Sequence, residues 1–297
     1  MEAPAHHLAA AFFALSPGSV LYASTFMTET LAGALVIAAV YLATTATGDR
    51  AARRQWATGL VLGLGGLVRP QTLLLAPMLA VMVGDGGWRR RALAFARVGV
   101  ACAAVVLPWT ARNCAQLDGC ALVSVNGGSN LWIGADPAAQ GGYRDLRPRE
   151  GCDHVHGEVA KDRCYGRLAV ARIRRDPLGW ISLVPAKLEQ LLDGEYSSTE
   201  YLRTARAISE READAWQRYG TAAHRLLCAA ALLALLPLAG RPKLNRAAWF
   251  SLAGVVGNLA IHAVFFGADR YHLPFAPLLA VLAGGVAHPR GEPCPRA

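Results

Sequence analysis

Charged residues are scarce in this sequence, and long stretches contain none. Asp, Glu, Lys and Arg make up 17% of the 297 residues, whereas hydrophobic residues make up 54%. The hydrophobic residues collect into long blocks, which favours a multi-span membrane protein over one large soluble domain. Visible internal repeats are also missing, which disfavours a transporter built from duplicated halves.

A basic leader is missing as well. The first residues, MEAPAHHLAAAFFALSPG, run into an apolar block and reach Pro17 without the charge pattern of a cleaved signal peptide. We therefore expect no cleavable signal at this end of the sequence.

The net charge of +9 arises outside the middle of the chain. Residues 109–221 contain 15 basic and 15 acidic residues, so the excess basic charge lies in short connectors between the hydrophobic blocks. This distribution follows the positive-inside rule of membrane proteins and differs from that of a DNA-binding face. We expect membrane lipids around the protein and no nucleic acid as a partner.

These patterns predict a mainly α fold, a polytopic transmembrane helix bundle with an extracytoplasmic α/loop domain inserted late in the chain. Residues 1–108 form the N-terminal transmembrane helices, residues 109–221 the extracytoplasmic domain, and residues 222–297 the C-terminal transmembrane helices with a short tail. The predicted topology places the basic connectors on the cytoplasmic side of the membrane. The apolar segments between the connectors are 8–15, 28–46, 57–68, 71–83, 92–107, 226–239, 247–266 and 275–286.

Two arginines do not follow the charge rule. The apolar block at 57–83 is interrupted by Arg69 and Pro70, and a break there keeps the basic cluster at 89–91 on the cytoplasmic side. This places Arg69 near the outer face of the membrane, as the later connector does for Arg270. A charged residue at a proline break can also line a cavity at greater depth.

Four of the seven cysteines lie in the polar domain. An even number at close spacing in an oxidising compartment indicates two disulfides, most simply Cys114 with Cys120 and Cys152 with Cys164, although spacing leaves the connectivity open.

A metal site is the competing interpretation of part of this group. Cys152, His154, His156 and Cys164 have a spacing that zinc could use, but disulfide formation would remove two of the four ligands. We therefore expect no metal or other cofactor. The oligomeric state is left open.

Six segments in order resemble a known family: LYASTFMTETL (21–31), GLGGLVRPQTLLLAP (63–77), PWTARN (108–113), NGGSNLWIGADPAAQGGY (126–143), RRDPLGW (174–180) and DRYHLPFAPLL (269–279). The chain resembles bacterial glycosyltransferase family 39 of the glycosyltransferase C superfamily. Relatives in that family include dolichyl-phosphate-mannose protein mannosyltransferases and lipid A aminoarabinose transferases.

The resemblance implies a multi-pass, inverting enzyme of the bacterial inner membrane. Such an enzyme moves a sugar from a polyprenyl-phosphate donor to a lipid, glycan or protein acceptor at the outer face. The family usually carries an acidic residue, often an Asp-Glu pair, in its first outer loop, and no segment here matches that loop. Glu29 matches a later position, so we expect a fragment, a late reading frame or a degenerate relative that lacks the N-terminal helix and first outer loop.

The donor phosphate requires cations near the outer headgroup level, because charge develops on it as its ester bond breaks. Arg270, Arg69 and Arg112 are the candidates. Interfacial arginines can instead snorkel or bind ordinary lipid headgroups.

Glu29 and Asp269 are the candidate catalytic carboxylates, since each could deprotonate an acceptor. Glu29 could instead complement a helix dipole, and Asp269 could pair with Arg270.

Five further residues are expected to bind the substrate. Asn126 and Asn130 offer hydrogen bonds and Trp132 a stacking platform, although this segment also suits a tight turn before a strand. Tyr271 and Lys187 belong with the segments that carry the resemblance.

Two other classes of function stay open from the sequence. A polytopic lipid or sugar transporter would also be apolar with charges near broken helices. A catalytically inactive membrane scaffold would fit the missing outer loop.

Overall fold

The structure is a computed structural model that describes residues 3–25, 27–83, 87–147, 150–236 and 246–284. Within these ranges the chain is helical and contains no β-strand, which confirms the mainly α class. The helices are α1 (Ala3–Ala14), α2 (Pro17–Ser24), α3 (Thr28–Thr44), α4 (Ala51–Val68), α5 (Leu75–Val83), α6 (Trp88–Gln116), α7 (Gly127–Gly134), α8 (Glu158–Arg175), α9 (Pro177–Ser182), α10 (Val184–Leu192), α11 (Ser197–Thr204), α12 (Glu210–Leu235), α13 (Arg246–Val264) and α14 (Ala276–Gly284).

The main core lies between the apolar helices α3, α4, α5, α6, α13 and α14. Buried residues from each of them form one cluster, which includes Val36, Leu62, Val98, Phe250 and Leu278. Short connections between α3 and α4 and between α4 and α5 make neighbouring helices antiparallel. Alternate ends of these helices therefore meet on the same side of the bundle.

Helices α4 and α6 approach each other closely through small residues. A Cβ atom added at Gly59 would lie 2.3 Å from the carbonyl oxygen of Val98 and 2.6 Å from the Cβ of Ala101. Gly63, one turn later, faces Val105 in the same way, at 2.7 Å. Small residues four apart are a common way for helices to pack in a membrane, where no hydrophobic effect drives them together.

Two helices among the described residues, α6 and α13, are long and apolar enough to cross a membrane. In each, only 28% of the most apolar window is buried within the protein. Two shorter apolar helical stretches are Thr28–Thr44, which is α3, and Pro70–Ala80, which follows the break at Arg69.

The break in the apolar block at 57–83 falls where the sequence predicts it. Helix α4 ends at Val68, Arg69 has extended backbone angles, and a 3-10 turn over Pro70–Leu74 leads into α5. Proline cannot donate the backbone hydrogen bond that would continue α4.

Two predicted domain boundaries lie inside continuous helices. Helix α6 contains Pro108 and continues to Gln116, and α12 runs without interruption through residues 221–222. The predicted strand after Asn126 is helix α7 instead. The connector at 241–245 and the tail after residue 284 lie outside the described residues.

Aspartates cap the helices of the polar domain across long stretches of sequence. Asp162 accepts backbone hydrogen bonds of 2.9 and 3.0 Å from the start of α7, and Asp118 accepts bonds of 2.8 and 3.0 Å from the start of α8. Backbone hydrogen bonds from the start of α8 also hold the pKa of Asp118 below its usual range. These caps connect the loop after α6, which contains Asp118, to α8, and they connect α8 to α7.

Candidate functional site

A cavity of about 830 Å³ opens where several helices of the bundle end. Its wall combines the start of α3, the end of α4, the turn after Arg69, the last turns of α13 and the loop at 122–126. Arg69, Arg270, Tyr271, Asn126 and Asn130, all candidates from the sequence, line it together.

Arg69 enters the cavity because its extended backbone separates α4 from the following turn. Its guanidinium forms an ion pair with Glu29, and its Nε donates to Thr28 Oγ1 at 3.1 Å. Glu29 is fully buried in the first turn of α3, behind the arginine. Arg69 therefore lines the cavity while one of its guanidinium nitrogens is paired with the buried carboxylate of Glu29.

Arg270 approaches from the opposite part of the sequence, in the 3-10 turn Asp269–Tyr271. Its Nη1 donates to Tyr201 Oη at 2.8 Å and its Nη2 to Tyr271 Oη at 3.1 Å. Neither partner is a carboxylate, so the positive charge of this guanidinium is held in place without being neutralised by these two bonds.

Both arginines lie near the ring of Tyr271. The guanidinium carbon of Arg270 is 5.0 Å from the ring centroid, and that of Arg69 is 5.4 Å away. His262 stacks on the same ring at 4.8 Å with an interplanar angle of 14°. Cation–π attraction to one rigid ring keeps two like charges within reach of a single ligand.

Asn126 and Asn130 belong to the loop wall, which is anchored to α6. Asn113 Nδ2 donates to the carbonyl oxygens of Ala121 and Val123, each at 3.0 Å, so the chain after α6 turns back along its last turns. The Cys114–Cys120 disulfide closes the same turn. Asn126 and Asn130 follow directly on this anchored strip of chain.

Much of the remaining cavity wall is apolar, although Thr28, Gln71, Ser124 and His262 also line it. Leu73 and Leu74 come from the turn after Arg69, Leu122 from the loop, and Ile261 and Phe265 from the end of α13. No Asp or Glu occurs among the described lining residues. The cavity thus combines two arginines with a largely hydrocarbon wall, which suits an amphipathic anion.

Asp269 points away from the cavity although it precedes Arg270. Its carboxylate accepts hydrogen bonds from the backbone N–H groups of Tyr196 and Ser197 at 2.8 and 2.7 Å, and from the hydroxyl of Ser197. Asp269 therefore caps α11, and the structure does not bring it to the cavity.

Arg112 and Trp132 also lie outside the cavity lining. The guanidinium of Arg112 rests 5.2 Å from the ring of Trp109, whose side chain does line the cavity. Trp132 is 9% exposed and packs in a cluster around the Cys152–Cys164 disulfide. Both predicted disulfides are present, and Cys152 and Cys164 are therefore not metal ligands.

Lys187 on α10 is fully buried, and its ammonium caps the C-terminal end of α13. Its Nζ donates to the carbonyl oxygens of Ala263 and Val264, at 3.1 and 3.2 Å, where α13 ends. The ammonium also lies 5.0 Å from the ring of Trp180. Burial lowers the pKa of Lys187 to about 8. The lysine fixes the end of α13, which carries part of the cavity wall.

Comparisons with protein-family models, curated proteins and solved structures return no match. The resemblance to a glycosyltransferase family is therefore carried by the six sequence segments alone. Any inference about function has to be drawn from the geometry of the cavity.

One cluster escaped the sequence analysis. Glu195, His224 and His272 are all buried, and their potential ligand atoms lie within 4.8 Å of one another. No motif joins them, because they come from a linker, from the middle of α12 and from the turn before α14. A tertiary structure is needed to find such a group.

Proposed function

We propose that the protein is a multi-pass glycosyltransferase of the bacterial inner membrane that binds a polyprenyl-phosphate sugar in this cavity. The single observation that carries the proposal is that Arg69 and Arg270 line one cavity, whose wall is mostly apolar and has no Asp or Glu among the described residues. These are the two arginines that the positive-inside rule leaves on the outer face.

Outward-facing apolar side chains support a membrane position for more than two helices. Large residues such as Leu31 on α3, Leu60 and Leu64 on α4, Leu232 on α12 and Trp249 on α13 are exposed. A soluble protein rarely exposes so many apolar residues, whereas a bundle in lipid faces hydrocarbon in this way. Tilt, or a locally thinned bilayer, accommodates the shorter helices.

The phosphate is the part of the donor that the arginines would bind. A departing polyprenyl phosphate gains negative charge as the glycosidic bond breaks, and two guanidinium groups at its oxygens stabilise that charge. The apolar wall at Leu73, Leu74 and Phe265 takes the first isoprene units. Asn126 and Asn130 line the same cavity and offer hydrogen bonds to a sugar that extends from the phosphate.

A second candidate, a polyprenyl-phosphate-binding protein without transferase activity, is favoured by the lack of a lining carboxylate among the described residues. Glu29 is held by Arg69, and Asp269 caps α11. An inverting transfer requires a base for the acceptor, and the geometry assigns none. Binding and transfer must therefore be measured separately.

The binding test uses purified protein in lipid nanodiscs and a fluorescent polyprenyl phosphate. Replacing Arg270 by Met removes one charge-assisted contact of about 1.5–3 kcal/mol, so we expect binding to weaken about 10- to 150-fold. Arg270→Lys should recover part of it, since the charge returns without the planar fork. Arg112→Met is the matched control and should bind like the wild type.

The transfer test follows the release of polyprenyl phosphate from a radiolabelled polyprenyl-phosphate sugar in the presence of cell-envelope acceptors. Release that depends on Arg270 would establish the enzyme. Tight binding without release would leave the non-catalytic candidate. Equal binding by wild type, Arg270→Met and Arg69→Met would refute the assignment of the cavity to the phosphate.

A further inference from the structure

A second polar centre lies outside the cavity, between α2, α10, α12 and the turn that precedes α14. Glu195, His224 and His272 are 2%, 3% and 2% exposed. Such deep burial of a carboxylate and two imidazoles is costly unless their polar atoms are partnered. The nature of the partner is therefore the question that the cluster raises.

The hydrogen bonds of His272 leave one nitrogen facing a carboxylate. Its Nδ1 lies 2.8 Å from the carbonyl oxygen of Leu191, which can only accept, so Nδ1 carries a proton. In the neutral ring, Nε2 then presents a lone pair to Glu195 Oε1 at 2.9 Å, another acceptor. Two acceptors cannot face each other at this distance unless a proton lies between them, on the ring or on the carboxyl, or a metal ion binds both from one side.

His224 adds a further ligand to the same place. Its ring stacks on that of His272 with centroids 3.9 Å apart. Its Nε2 is 3.5 Å from the thiol sulfur of Cys228, one turn later on α12. The ring nitrogen of His224 therefore faces a second potential metal ligand.

The carboxylate of Glu195 is enclosed and incompletely satisfied. Its Oε2 is buried and has no hydrogen-bond partner within the described part of the chain. A Cβ atom at Gly18 on α2 would lie 2.5 Å from Oε1, and one at Gly220 would lie 3.1 Å from the Cβ of Glu195. Two glycines thus close over a carboxylate with an unused lone pair.

We propose that Glu195, His224 and His272, with Cys228 as the fourth ligand, bind a zinc-like divalent cation. One carboxylate, two imidazoles and one thiolate form a ligand set that suits tetrahedral zinc. The N/O atoms of Glu195, His224 and His272 already lie within 4.8 Å of one another, and the sulfur of Cys228 is 3.5 Å from Nε2 of His224. Binding displaces the thiol proton and any second proton on His272.

The metal would have a structural role, and the proposal does not depend on the identity of the cavity ligand. Its ligands come from the linker between α10 and α11, from α12 and from the turn that contains Arg270, two residues before His272. The ion would tie that turn to two neighbouring elements. Such a closed four-ligand site is typical of structural zinc.

The first experiment measures metal in the full-length wild type, purified in detergent through a tag without histidines, so that no nickel is introduced. We expect one equivalent of zinc by mass spectrometry of the metal content after gel filtration. After exchange, cobalt should give the intense visible absorption of a tetrahedral site together with a sulfur-to-cobalt charge-transfer band. A folded wild type that binds neither zinc nor cobalt would overturn the proposal in favour of a protonated His272–Glu195 pair.

The second experiment uses variants and a matched histidine control. His224→Ala and Glu195→Gln should lose most of the bound zinc, and Cys228→Ser should keep cobalt but lose the sulfur band. The double variant His154→Ala/His156→Ala removes two exposed histidines and should keep the full equivalent. Zinc that persists in folded His224→Ala, or that is lost equally in the control, would show an adventitious ion and refute the site.

Discussion

The ion pair between Arg69 and Glu29 yields the sharpest prediction about stability. Glu29 is completely buried, whereas the side chain of Arg69 is 11% exposed and borders the cavity. Replacing Arg69 by Met leaves a buried carboxylate without its cation, which typically costs 3–5 kcal/mol of unfolding free energy. Replacing Glu29 by Gln leaves an arginine that water in the cavity can reach, so we expect a smaller loss.

The double variant Glu29→Gln/Arg69→Met separates charge from packing. With both charges removed, no uncompensated ion stays buried, and buried pairs replaced together are often close to neutral. The double variant should therefore be more stable than Arg69→Met alone by about 2–4 kcal/mol. This is the cost of the unpaired buried carboxylate in Arg69→Met minus the smaller cost of replacing both partners together.

Unfolding free energies for this cycle can be measured by titrating SDS into mixed micelles and following tryptophan fluorescence. Arg112→Met is the control for removing an arginine outside the cavity lining, and we expect it to stay within about 0.5 kcal/mol of the wild type. If the double variant is as unstable as Arg69→Met, the lost packing of the arginine stem and not the buried charge explains the effect, and the reasoning is refuted.

Three further predictions concern other parts of the fold. Replacing Cys152 and Cys164 by Ala opens a loop with a sequence separation of 12 and should lower the unfolding free energy by about 3 kcal/mol, seen as a lower thermal midpoint than the unreduced wild type. The pKa of Lys187 falls to about 8, below its unfolded value, so the native state releases that proton first; stability relative to Lys187→Met should rise as the pH increases from about 8 to 10. Gly59→Leu should prevent α4 from packing on α6 and abolish the folded, monodisperse fraction in gel filtration, whereas an exposed Leu60→Ala should not.

The break at Arg69 could be predicted because it depends on local sequence: proline after Arg69 removes a helical hydrogen bond wherever it occurs. Both disulfides match the simplest of the pairings that the cysteine spacing leaves open. The spacing could not decide among these pairings, because the fold determines which cysteines meet.

The continuation of α6 past Pro108 could not be predicted, because proline is tolerated when neighbours compensate. Two residues after the proline, the hydroxyl of Thr110 can donate a hydrogen bond to the carbonyl oxygen of Val106 at 3.2 Å or to that of Leu122 at 2.7 Å. The loop after the helix thus supports the turn that contains the proline. That support depends on tertiary contacts, as described for proline in membrane helices.

The candidate site was partly predictable, for a similar reason. Arg69 and Arg270 were singled out by charge placement alone, and both line the cavity. The roles of Glu29 and Asp269 could not be separated in the sequence, since each is a carboxylate beside a candidate arginine. The structure gives one to an ion pair and the other to a helix cap.

The fate of the acidic residues bears on which ligand the cavity selects. Asp118, Asp162 and Asp269 each accept backbone hydrogen bonds at the start of a helix, and Glu29 is paired with Arg69. Because helix starts attract anions, an aspartate at each of these three sites occupies a place where a ligand's negative charge could otherwise bind. Arg270 is held by tyrosine hydroxyls and not by any of these carboxylates. We infer that an anionic headgroup in this part of the protein would be drawn to the cavity and not to the neighbouring helix ends.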